Sequence, residues 1–319
     1  MGRIKLWIRR NKIEDRSKNL WYSIFAGVLA AGGYAGIFNR GDKPPIHWDD
    51  GEFWAASLTR MTPVPLDPLL LILLGIFGLI FGSFVTALSY RLPRGESVAH
   101  GRSKCAACGH TLASVDLVPV ASWVAQGGVC RYCRTKISWR YPAIEIVSIT
   151  LFVCAGWLVG DNLAHVLVLL AMTPVMLALA VIDLEHQRLP NVPVLVLALL
   201  AVAWRWTDDG AIFAGLATAA ITFGAGILLN AAYKAVTGKQ GLGMDDTKLF
   251  VLAGVALPVG PFLLFIALAG ILGTIFGGLW HRRTRASQFP FAPAILMAFW
   301  LCLAAGSRLI DQLVILRVN

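Results

Sequence analysis

Apolar residues in this chain come in long, nearly unbroken runs separated by short clusters of charged and turn-forming residues. Runs near 19–38, 68–91, 142–160, 163–182, 191–204, 211–233, 248–259, 261–280 and 293–306 approach or reach the roughly 20 residues that carry a helix across a hydrocarbon core. They lack the in-out alternation of a barrel strand, and lipid tolerates only backbone that pairs with itself, so each run predicts a helix. The pattern therefore predicts an all-α, polytopic membrane protein. Pro258 and Pro261 flank a Val-Gly pair and predict a tight reversal between two spans. The cluster His281-Arg-Arg-Thr-Arg285 marks a polar loop that ends in Pro290-Phe-Ala-Pro293.

Composition sharpens this picture. Of 319 residues 57% are hydrophobic and only 14% charged, and the mean hydropathy is +0.68. A net charge of +10 would ordinarily raise nucleic acid as a partner, but the distribution of the bases argues against it. Alternating the sides of successive spans puts residues 1–18, 92–141, 183–190, 234–247 and 281–292 on one face. With Arg91 and Lys248, that face holds 22 of the 28 Lys and Arg. By the positive-inside rule this face is cytoplasmic, and the basic excess is membrane topology. The lipid bilayer is the partner that composition implies, and nucleic acid is not.

Residues 1–66 read as an N-terminal extension and 67–319 as one membrane domain. Residues 1–18 carry seven Lys and Arg and precede the uncharged run Leu20 to Phe38, long enough to remain as a signal anchor. The segment from Asn39 to Pro68 mixes acids, prolines and tryptophans and reads as an external loop or interfacial helix. Within the membrane domain, 92–141 is the one long polar insertion.

That insertion carries Cys105-Ala-Ala-Cys108 and, after 21 residues, Cys130-Arg-Tyr-Cys133. Two C-x-x-C knuckles at this spacing present four thiolates tetrahedrally, as in a structural zinc ribbon. On a cytoplasmic face stable disulfides are disfavoured, which weighs against a pair of redox sites. Cys154 and Cys302 lie inside apolar runs and read as packing residues. Four cysteines complete a ligand set, so His100 and His110 read as surface residues.

Two acids end or begin apolar runs on the same membrane side. Asp183 follows Ala178-Leu-Ala-Val-Ile182, and Asp246 precedes Lys248 and the run from Leu249 to Leu257. A carboxylate at lipid depth is costly and defaults to a functional reading. Two at one depth can share a proton and activate a water between them. The plainer readings are an N-cap for Asp245 or Asp246 and an interface marker for Asp183. Gly238, Gly241 and Gly243 weigh against them, since they permit close backbone approach. Glu185 and His186 are adjacent in sequence and do not share a helix face, so they do not read as a metal pair.

These residues together resemble the type IV prepilin leader peptidase / N-methyltransferase family, membrane aspartic proteases of the GxGD type. The resemblance runs from about Gly75 to the C-terminus through five segments in order. They are Gly82-Ser-Phe-Val-Thr-Ala-Leu-Ser-Tyr-Arg91-Leu-Pro93, the cysteine pairs, Arg140-Tyr-Pro142-Ala-Ile-Glu145, Ile182-Asp183 with Leu189-Pro190, and Gly241-Leu-Gly-Met-Asp-Asp246-Thr-Lys-Leu249. The resemblance implies that Asp183 and Asp246 are the catalytic pair, supported by Gly241, Gly243 and Lys248. It implies about eight family helices, and the signal-anchor run adds one before them. It also implies cleavage of prepilins or pseudopilins after a short basic leader, in the service of type IV pili or type II secretion. Methylation of the new N-terminus from S-adenosylmethionine would follow.

Three features depart from the family pattern. Asp245 stands where the motif's second Gly is usual, which makes it an adjacent alternative to Asp246. Thr86 stands where an Asn is usual, and the first 66 residues precede the family region. No Rossmann fingerprint is present, so the methyl-donor reading comes from resemblance alone. Two other classes compete: a proton-coupled transporter using the same acids, and a non-catalytic zinc-loop scaffold of pilus or secretion assembly. The transporter class expects internal repeats, and the chain shows none.

Overall fold

The computed structural model describes residues 67–98, 101–159, 162–208, 210–238, 241, 243–285 and 288–318. The first predicted span, at 19–38, lies outside the described residues. The described residues form eight helices of 13 residues or more and no strand, with the polar insertion threaded between the first two long ones.

Helix α1 (Pro68–Arg91) starts where the Asp67 side chain accepts the Leu69 N–H at 2.8 Å, with Pro68 at a position whose N–H would be unpaired in any case. The insertion contains a short helix α2 (Ala121–Ala125), and α3 (Arg140–Val159) returns the chain to the membrane. Helix α4 (Leu163–His186) begins at an Asn162 cap and ends at Gln187 in the left-handed region. Then follow α5 (Asn191–Asp208), α6 (Ile212–Thr237), α7 (Met244–Ala256), α8 (Val259–Thr284) and α9 (Ala292–Val318). Six of these (α1, α3, α4, α5, α6 and α8) are long and apolar enough to cross a membrane, and α9 contributes a further apolar stretch over Ala292–Gly306. Together with the apolar faces they expose, they make this a multi-pass membrane protein.

The run predicted to span at 248–259 behaves differently. It folds as the 13-residue α7, and at 1.5 Å per residue that is roughly 20 Å, short of the ~30 Å hydrocarbon core. Its Leu249, Leu252 and Ala253–Ala256 are buried among other helices. An apolar run walled by protein need not match the bilayer's thickness, and sequence alone does not distinguish that wall from lipid. The reversal is tight but falls at Leu257–Pro258, and the Val259–Gly260 pair expected to form it opens α8 instead.

Between lipid-facing helices there is little hydrophobic drive, so close contact comes from small residues. A Cβ on Gly78 would stand 2.7 Å from the Ile149 Cα, and one on Gly82 2.8 Å from the Glu145 Cα, so α1 and α3 touch backbone to backbone. A Cβ on Gly215 would meet the Val255 carbonyl oxygen at 2.5 Å, seating α6 against α7 in the same way. The core between these pairs holds Leu169, Met172, Leu179, Leu197, Leu249, Phe265, Ile295 and Phe299. Trp300 donates its indole N–H to the Thr173 hydroxyl at 3.0 Å, pairing two buried polar groups next to Pro174 in α4.

Gly78→Val and Gly82→Val are expected to separate α1 from α3 and lower stability by about 1–3 kcal/mol, the usual range for overpacking. Gly75→Val, whose Cβ meets nothing within 4 Å, is the matched control. Thermal unfolding in detergent reads the difference, and equal midpoints for all three would refute the close-contact account.

Candidate active site

Helix α4 carries Asp183 on its last turn, where it is 7% exposed. One carboxylate oxygen accepts the backbone N–H of Ala292 at 3.1 Å. Ala292 is the first residue of α9, and the first N–H groups of a helix have no partner within it. Asp183 therefore receives a donor that α9 must place somewhere, and Pro293, next along, has no N–H to leave unmatched.

Asp246 sits on the first turn of α7, three residues after the Gly243 N-cap. Its Oδ2 lies 3.0 Å from the place a Cβ on Gly243 would take, so a side chain there would press on this carboxyl. Gly241 is fixed by its N–H to the Asn230 side chain at 3.0 Å and lies under the Tyr233 ring, 2.9 Å from where its Cβ would be. Asp183 and Asp246, 63 positions apart in sequence, thus stand at the end of α4 and the start of α7.

Asp245 is otherwise engaged. Its Oδ2 accepts the Leu189 N–H at 3.2 Å, and its Oδ1 accepts from Lys248 Nζ at 2.7 Å. Lys248 also donates to the Asn191 side chain at 3.2 Å. The pair ties the start of α7 to the loop between α4 and α5. Asp245 accordingly occupies the usual glycine position without entering the space of Asp246. Gly241 and Lys248 hold the motif in place, and Gly243 makes room within it.

A second polar cluster was not visible in the sequence. Arg140 grips Glu185 with two nitrogens, through Nε to Oε1 and through Nη2 to Oε2 at 3.1 Å, and Nη2 also donates to Ser89 Oγ at 2.8 Å. This knot joins α1, α3 and α4 two residues beyond Asp183. Glu185 is thereby committed to Arg140, in keeping with the reading that it does not form a metal pair with His186. Arg140 stood in a family segment, but nothing in its spacing pointed to Glu185, 45 positions away.

In the insertion the four cysteine sulfurs all lie within 4.8 Å of one another, and Cys105 and Cys133 are 3.9 Å apart. A tetrahedral zinc with ~2.3 Å bonds to sulfur places the sulfurs roughly 3.8 Å apart, so the donor set fits. The two knuckles repeat one geometry. Gly109 and Arg134, each following a second cysteine, have φ of +71° and +59°. An antiparallel bridge closes each knuckle, Lys104 to Thr111 and Val129 to Lys136. Hydrogen bonds from the Thr135 side chain and backbone lower the Cys133 thiol to about 6, and backbone N–H groups of Cys108 and Ala107 lower Cys105. Cys108 is pushed up to about 11; desolvation and the adjacent thiols outweigh a backbone hydrogen bond at His110. Four cysteine sulfurs at this spacing make a donor set of the size that a tetrahedral metal ion takes.

Comparison with known proteins points one way. Residues 76–159 match the model of the bacterial peptidase A24 N-terminal domain, and residues 170–278 match that of the type IV leader peptidase family. A prepilin leader peptidase/N-methyltransferase of Bacillus subtilis (strain 168) is 33% identical over 76% of this chain and 97% of its own length. The protein of the same name from Dichelobacter nodosus is 31% identical over 76% and 94%. That from Pseudomonas putida is 29% identical over 79% and 96%. No solved structure matches the chain. Identity at this level over nearly the full length of a relative, with both family-model matches, places this chain in the type IV leader peptidase family.

Proposed function

We propose that this chain is an integral-membrane aspartic endopeptidase that removes the short basic leader of prepilins or pseudopilins, with Asp183 and Asp246 as its catalytic pair. The observation that supports the assignment is that the start of α7, which carries Asp246, is tied through Asp245 to Leu189, six residues after Asp183 at the end of α4. Two carboxyls sharing a site hold one proton between them. The ionised member takes a proton from water, and the water oxygen attacks the scissile carbonyl carbon. The protonated member donates to the carbonyl oxygen, and collapse of the tetrahedral intermediate sends a proton to the departing amine. A substrate with a basic leader in water and an apolar helix in lipid presents its scissile bond at this depth.

In this reading the site and the cysteine insertion face the cytoplasm of a bacterial inner (plasma) membrane, supported by the seven Lys and Arg against two acids over residues 92–141. Residues 1–66 form an extension outside the peptidase domain of 67–319. Zinc is held by Cys105, Cys108, Cys130 and Cys133 in a structural role, and the acids perform the hydrolysis. The relatives' names support a second activity, N-methylation of the new N-terminus with S-adenosylmethionine as methyl donor.

Asp183→Asn and Asp246→Asn are each expected to cut prepilin cleavage in membranes by about 10²–10⁴-fold at unchanged expression. Asp245→Asn keeps one acceptor oxygen, for either the Leu189 N–H or Lys248 but not both, and should lose less than about tenfold, the worth of one lost hydrogen bond. Loss at 183 and 245 with 246 intact would shift the dyad by one residue, and cleavage by all three variants would sink the peptidase reading.

Cys105→Ser is expected to lower the thermal midpoint and the metal content of the purified protein before it affects chemistry. A variant of normal stability with one zinc per chain would refute the structural role.

A further inference from the structure

The insertion combines a strained turn, a buried acid and an exposed apolar surface. At Val120 φ is +58° and ψ −51°, and the Ala121 N–H turns back to the Pro119 carbonyl, which makes Val120 the centre of a positive-φ γ-turn. A β-branched residue in this region is a true outlier, held only where its surroundings insist on it. What holds it is Glu145, which accepts the Val120 N–H at 2.7 Å and is 7% exposed.

Glu145 belongs to a membrane-crossing helix. It lies five residues beyond Arg140, about 7.5 Å along the axis of α3. Its neighbour Ile144 shares a buried cluster with Val85 and Val181, and Val181 is two residues from Asp183. The backbone of the insertion at Val120 is therefore fastened to a helix long and apolar enough to cross a membrane, near its N-terminal end. Irregular backbone beside lipid survives only when its polar groups are met by protein, and Glu145 supplies the acceptor.

Around the turn, Val115, Leu117, Val118 and Val124 are all exposed, Val124 by 64%. Trp139, just before α3, is 73% exposed at the position where membrane proteins carry interfacial aromatics. Over residues 92–141 there are seven Lys and Arg against two acids, a charge that suits an anionic leaflet. Exposed aliphatics, an interfacial tryptophan and a basic surround describe a segment lying in the headgroup–acyl boundary.

We propose that Val115–Val124 is a membrane-seated element, anchored by the Glu145–Val120 hydrogen bond and embedded in the boundary of an anionic bilayer. It holds the zinc-binding insertion against the lipid surface beside the active site. The proposal does not depend on the peptidase chemistry.

The test uses the full chain in nanodiscs of phosphatidylethanolamine and phosphatidylglycerol. A fluorescent non-canonical residue is placed at Val118 or Val124, with the exposed knuckle residue Ala107 as comparator. Lipids brominated on the upper acyl chain should quench the probes at 118 and 124 at least about threefold more than at 107, and aqueous iodide should do the reverse. Glu145→Ala should raise iodide quenching at 118 toward the level at 107, and Glu145→Gln, which retains an acceptor oxygen, should not. Iodide quenching at 118 and 124 equal to that at 107 would overturn the proposal. Quenching by neither agent would overturn it too, since the segment would then be covered by protein. If Glu145→Ala does not fold, the two probes in the otherwise unchanged chain still decide the matter.

Discussion

A polar group taken below the water surface must find its partner within the chain, because lipid supplies none. That requirement organises this protein. Asp183 meets the first N–H of α9, Asp245 meets the Leu189 N–H and Lys248, Arg140 meets Glu185 and Ser89, and Glu145 meets the Val120 N–H. All but the Asp245–Lys248 pair join segments remote in sequence. The helix arrangement is thus held by apolar packing and by a few hydrogen bonds, of which those of the buried Asp183 and Glu145 are the ones water does not replace.

The same requirement explains how two carboxyls coexist. Asp183 comes from the end of one helix, Asp246 from the start of another, and the backbone around each is fixed by a neighbour: Ala292 for the first, Gly243 for the second. Both oxygens of Asp245 are engaged, one by the Leu189 N–H and the other by Lys248. The departure from glycine at this position is accommodated by turning the extra carboxylate outward into a latch between α7 and the loop after α4.

Glycine supplies the complementary economy of space. Gly78 and Gly82 let α1 lie against α3 at the level of Glu145, while Gly215 seats α6 on α7. Close backbone contact at Gly82 helps place Glu145, and Glu145 in turn holds the γ-turn of the cysteine insertion. Packing between α1 and α3 and the posture of the cysteine insertion are linked through one side chain.

Hydropathy alone determined the helical, membrane-crossing class, since only continuous apolar runs can satisfy lipid. The C-x-x-C spacing determined the tetrahedral sulfur set, because both knuckles are local turns. The two acids were legible because acids at the ends of apolar runs are costly and conspicuous. Tertiary structure decided the rest. It made α7 a short protein-walled helix where hydropathy had predicted a span, since an apolar residue looks the same facing lipid or protein. It also decided that Asp245 is a latch, that Glu185 belongs to Arg140, and that Glu145 reaches Val120. Those pairings cross 3, 45 and 25 positions, and only the first is within reach of local spacing rules. The longer ones depend on how helices pack, which no single segment of the sequence encodes.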